Sequence, residues 1–155
     1  VETMDVYVKS SSASSLSTST ISTHVSARFS LKYAVASAFC RRQSVLADFE
    51  AEALSDTKVL DFMTRIAVHG DDALQAQHES EGVFPSRTVL RTTDGQELNA
   101  ARVTPYDDQT SQERDVEVAA KIESLCDPRT AARLTQLFAT ATDDAGMANI
   151  HKIFA

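Results

Sequence analysis

The chain has 155 residues, 43% of them hydrophobic and 24% charged, and a formal net charge of −7. That size suits one domain with its own core, and no apolar run approaches the roughly 20 residues of a membrane span, which excludes a helical membrane protein. The acidic balance argues against bulk attraction to nucleic acid or an anionic membrane.

Charge is unevenly spread. Residues 1–47 hold Lys9, Arg28, Lys32, Arg41 and Arg42 against Glu2 and Asp5, a balance of +3, so the remainder carries −10. The basic portion can admit a small anionic ligand although the whole chain is acidic.

In chain order, residues 2–9 alternate Met4, Val6 and Val8 with polar neighbours, the period-2 pattern of a half-buried strand. VETMDVYV thus reads as a strand rather than a secretory leader. KSSSASSLSTSTISTHVS is rich in Ser and Thr and poor in bulky residues, which predicts a flexible surface loop. A helix is predicted over residues 27–42, with Ser26 as its N-cap and Arg41 and Arg42 near its negative C-terminal end. Leu31, Ala34, Val35 and Ala38 form its apolar face, and Ser30, Tyr33, Ser37 and Cys40 a softer second stripe.

A short acidic helix is expected over residues 46–54, then another starting at Ser55 or Asp56 with Val59, Leu60 and Met63 inward. Residues 66–69 read as a short strand and GDDALQAQHESEG as a polar loop. SRTVLRTTDGQELNAARV gives two strands joined by Asp94-Gly95, a pair suited to a tight hairpin turn. Beyond Pro105 the pattern is helical. Val116, Ala119, Ala120 and Ile122 mark one helix, Asp127-Pro128 starts a second with Leu134, Leu137 and Phe138 inward, and a last begins at Asp143 or Asp144 with Met147, Ile150 and Phe154 on one face. Strands and helices mix without regular alternation, so the class is α+β.

Several chemistries lack their signatures. His24, His69, His78 and His151 are scattered, no two at ligand spacing, so no metal site is predicted. The four glycines stand alone, without a phosphate-binding loop, and there is no nucleophile elbow. Cys40 and Cys126 read as buried reduced thiols, pointing to a cytoplasmic protein, or one of the mitochondrial matrix in a eukaryote.

The unexplained feature is SARFSLKYAVASAF. Arg28 and Lys32 at a helix start oppose the dipole yet attract a carboxylate, and Tyr33 offers a phenol that donates to an oxyanion or leaving hydroxyl. A plain structural reading, with Tyr33 packed and both cations solvated, stands beside this.

At these residues the chain resembles the MmgE/PrpD family, which includes 2-methylcitrate dehydratases, cis-aconitate decarboxylases and iminodisuccinate epimerases. Ala27, Arg28, Phe29, Ser30, Tyr33, Ala34, Val35 and Ala36 match its pattern of alanine, basic residue, aromatic, Ser, Tyr and small-residue helix. ADFEAEALSDTKVLDFMTRIAV resembles the family's helix pair and strand, and FPSRTVLRTTDGQEL its hairpin, in the same order over residues 1–103. TPYDDQTSQERD is shorter and more acidic than the Gly/Pro-containing loop usual there.

The resemblance is to the family's C-terminal part. It implies an α+β lid domain over residues 1–110, followed over residues 111–155 by helices that pack on a large helical domain upstream of Val1. It further implies a homo-oligomeric lyase or isomerase of small polycarboxylates that needs no metal or cofactor. A base removes a proton beside a carboxylate, and loss of a hydroxyl or carbon dioxide, or reprotonation on the opposite face, completes the reaction. Most acid/base residues would lie upstream, leaving this portion inactive alone. Tyr33 would be the catalytic residue here, with Arg28 and Ser30 binding substrate; Lys32 joins them on charge alone. The rival expectation is a non-catalytic α+β module whose exposed apolar helix faces serve assembly.

Overall fold

The computed structural model describes residues 1–104 and 110–140, with the side chains of 139 and 140 left out. It is α+β and divides into two compact units, Val1–Asp107 and Asp108–Ala155. No helix among the described residues is long and apolar enough to cross a membrane.

The first unit is built on a four-stranded mixed sheet in the order β2-β1-β3-β4, from β1 (Thr3–Lys9), β2 (Ile66–Asp71), β3 (Ser86–Arg91) and β4 (Glu97–Arg102). The central β1 pairs parallel with β2, Met4 opposite Ile66, and antiparallel with β3, Met4 opposite Leu90. Alternation along β1 sends Met4 and Val6 into the core, which Ala27, Tyr33, Ala36, Val59, Phe62 and Ile66 complete. Tyr7 points to the other face with its register partners His69 and Arg87, and Asp5 joins them there. The predicted hairpin is present, with Gly95 at φ 83° in its turn.

Four expectations need correction. The Ser-rich segment is not all loop: its start forms α1 (Ser10–Ser15), which packs on β2. Ser14 and Ser15 hydroxyls donate back to the Ser10 and Ser11 carbonyls, and Ser10 and Ser11 are bonded to Asp72 and Gln75. These tertiary bonds hold a helix that has no apolar stripe of its own. GDDALQAQHESEG likewise contains α5 (Asp72–Glu81), capped by the Asp71 side chain and ended by Gly82 at φ 70°. The acidic helix over residues 46–54 is instead two 3-10 turns, Leu46–Phe49 and Ala53–Ser55, leading into α4 (Thr57–Met63), whose N-cap is Asp56. Cys40 is exposed rather than buried, because it lies in the last turn of its helix, past the buried stretch; Cys126 is half-buried, and both thiols are free.

Close approach of α1 explains one glycine. A Cβ added at Gly70 would stand 3.1 Å from the Ser10 Cα, a backbone atom that cannot swing aside. Gly70→Ala should therefore cost about 1–3 kcal/mol by overpacking, read as a lower urea midpoint; an unchanged midpoint would show that α1 lifts off β2 freely.

In the second unit, Thr110 and Glu113 form a capping box at the start of α6 (Ser111–Leu125). The Asp127 carboxylate accepts from the Arg129 and Thr130 backbone N–H groups and starts α7 (Pro128–Thr140) as predicted. Phe138, expected inward, is exposed, as are Val116, Val118 and Leu125. The helix predicted from Asp143 or Asp144 lies outside the described residues.

Candidate functional site

The predicted helix over residues 27–42 is broken at Phe29-Ser30 into α2 (His24–Arg28) and α3 (Leu31–Arg41). Thr23, not Ser26, caps α2; the Ser26 hydroxyl completes the reciprocal box by accepting from the Thr23 N–H. Ser30 caps α3: its buried hydroxyl accepts from the Tyr33 N–H at 3.2 Å. The break disposes of the dipole conflict for Arg28, which sits in the last turn of α2, where a cation is favourable. Lys32 alone remains in a first turn.

Tyr33 and Ser37 of the softer stripe are buried together with Ala36, while Leu31 and Val35 of the apolar face pack half-buried against the same core. That is possible because each polar atom there finds a partner. The Tyr33 hydroxyl reaches the Asp48 carbonyl at 2.8 Å and the Ala53 carbonyl at 3.2 Å, and Ser37 Oγ accepts from Arg41. The ring of Phe49 meets Tyr33 edge-on at 5.8 Å.

Arg41 organises this region. Its guanidinium donates to Asp48 Oδ1 at 3.0 Å, Asp56 Oδ2 at 3.2 Å, the Asp48 carbonyl at 3.3 Å and the Ala53 carbonyl at 3.0 Å. Asp48 is 4% exposed, and its second carboxylate oxygen accepts the Val45 N–H at 2.8 Å. One side chain thus ties both 3-10 turns and the cap of α4 to the end of α3. The hydrogen bond from Arg41 holds the Asp56 carboxyl below its ordinary range. Burial pushes the Tyr33 phenol up, which the nearby Arg41 charge partly offsets, so the phenol stays a donor at neutral pH.

Of the four predicted site residues, the structure gives two to the interior, one to the surface and one to a half-buried position. Tyr33 and Ser30 are buried, and the phenol faces the 42–56 loop. Arg28 is exposed and bonded to Glu50 at 3.2 Å, while Lys32 is half-buried without a polar partner among the described residues. Sequence reasoning missed Arg41, which it placed only as a dipole partner. The signal was a buried-stripe Ser four residues before it and two Asp residues within reach after it.

A second polar group lies on the other face of the sheet. Asp5 accepts from Arg91 at 2.6 Å and meets His69 Nε2 at 2.8 Å, bonds that hold its carboxyl below the ordinary range, His69 contributing most. Tyr7 stacks on His69 at 4.8 Å, with the Arg87 guanidinium 3.7 Å from its ring centre. A shallow groove in the second unit, lined by Cys126, Ala131 and Thr135 among others, includes none of the four predicted residues.

The fold and this site define a mixed-sheet α+β domain with a cation-bearing helix break beside a pinned loop. The chain belongs to the MmgE/PrpD family: the family model for its C-terminal domain matches residues 1–144. A comparison with curated proteins gave no match. The family is known for dehydratase and other lyase-type enzymes.

Proposed function

We propose that this chain is the C-terminal, lid-bearing portion of a lyase or isomerase acting on small polycarboxylates, similar to 2-methylcitrate dehydratase, and that it acts with an upstream helical domain. The observation that carries the reading is the family match over residues 1–144, which includes the cation-bearing break. Arg28 and Lys32 supply positive charge to substrate carboxylates, as two neighbouring cations in an otherwise acidic chain are suited to do. Ser30 sets the direction of α3 and, through the Tyr33 N–H, the placement of the tyrosine.

Tyr33 supplies a proton-donating hydroxyl to a developing oxyanion or leaving group. Its burial is compatible with this role in one respect. Arg41 donates to both carbonyls that Tyr33 contacts, so neither is orphaned when movement of the 42–56 loop frees the buried phenol for a substrate acceptor, a movement that the role requires. The upstream domain supplies the base, and the chemistry proceeds without metal or cofactor, as in relatives of the family.

The direct test is the double substitution Arg28→Gln with Lys32→Gln in the enzyme that carries this domain. KM for a polycarboxylate should rise on the order of tenfold or more, with a smaller change in kcat. An unchanged KM removes both cations from the substrate site.

A further inference from the structure

Arg28 does not present a bare charge. Its Nη2 donates to Glu50 Oε1 at 3.2 Å, with the two side chains 44% and 57% exposed, and neither has another side-chain partner among the described residues. Glu50 is not placed there by chance rotation of a free segment. It follows the first 3-10 turn directly, its N–H bonded to the Ala47 carbonyl at 3.2 Å. Two residues earlier, Asp48 is fixed by Arg41 and by the Val45 N–H. The pinned loop therefore holds a carboxylate against the cation, while Lys32 on the next helix stays without such a partner.

We propose that Glu50 is a built-in competitor for the Arg28 guanidinium, a specificity-determining residue that a substrate carboxylate displaces. The proposal rests on the reading of Arg28 as a carboxylate-binding residue. A carboxylate can meet Lys32 as it stands, but at Arg28 it must compete with Glu50 for the charge and for the Nη2 donor that Glu50 holds. Exposed ion pairs are weak, so the exchange is easy, and no bond other than a hydrogen-bonded ion pair is made or broken. Ligands with a single carboxylate can be held by Lys32 without disturbing the pair. A second carboxylate on a molecule long enough to span from Lys32 to Arg28 profits from displacing Glu50, because its local concentration is then high.

The test uses citrate, titrated at constant ionic strength into the isotopically labelled enzyme that carries this domain while the Arg28 side-chain N–H resonance is followed. Glu50→Gln should bind citrate about two- to fivefold more tightly than the unsubstituted chain, the range set by the strength of an exposed pair. Arg28→Gln should weaken binding, and adding Glu50→Gln to it should then bring no further gain. Equal affinities with and without the Glu50 carboxylate, alongside a clear loss in Arg28→Gln, overturn the competitor and leave Arg28 in its site. Citrate binding that ignores Arg28→Gln, or no citrate-dependent shift of Arg28 even in Glu50→Gln, overturns the Arg28 reading and the competitor with it.

Discussion

Arg41→Ala is expected to lower the unfolding free energy by about 3–5 kcal/mol in urea denaturation. The Asp48 side chain is 5% exposed and that of Arg41 17%, so removing the guanidinium strands a carboxylate that water cannot readily reach. The Asp48 and Ala53 carbonyls lose a donor as well, and Tyr33 has only one proton to share between them. Arg41→Lys should recover part of the loss at most, since an ammonium cannot span Asp48 and Asp56 as the planar fork does. Adding Asp48→Asn to Arg41→Ala should restore some stability by removing the stranded charge. A loss under about 1 kcal/mol for Arg41→Ala would mean that Asp48 rehydrates and that the 42–56 loop does not depend on the clamp.

Tyr33→Phe in the complete enzyme is expected to reduce turnover on the order of 10²–10³-fold, the usual effect of deleting one oxyanion donor. The same substitution should cost only about 0.5–1.5 kcal/mol of stability, because the ring remains in the core and Arg41 still serves both carbonyls. The contrast between the two readouts is what identifies the role. A purely structural tyrosine gives a near wild-type rate with the same modest loss of stability, and that result would retire Tyr33 as a catalytic residue. A fall in rate together with a collapse in stability would instead place the effect in the loop.

Legibility of the fold in the sequence followed the strength of local patterning. β1 and the β3–β4 hairpin were readable because alternation and Asp94-Gly95 specify strand and turn without help from distant residues. α1 was not, because its stability comes from Asp72 and Gln75, which are 62 and 64 residues away from their partners. α5 carried usable end signals in Asp71 and Gly82, but its lack of an apolar stripe outweighed them. The break at Phe29-Ser30 escaped notice because Ser30 also fits a helical stripe, and only its bond to the Tyr33 N–H reveals a cap. At the candidate site, the motif pointed to Arg28 and Tyr33 as expected site residues. Their surroundings depended on Glu50, Asp48 and Ala53, whose approach no local pattern encodes.

The position of β1 at the centre of the sheet has a consequence for how the chain reaches this structure. β1 is synthesised before both of its neighbours, and Arg91 of β3 follows its partner Asp5 by 86 residues. At ribosomal rates that interval is roughly 4–17 s, far longer than a hairpin needs to close. The β3–β4 hairpin can therefore form as soon as it is made, whereas Met4, Val6 and Val8 have no strand partner until β2 is made, and none on their other side until β3 follows. Sheet closure is a late, long-range event in this domain, and β1 is the segment most exposed to mispairing during synthesis.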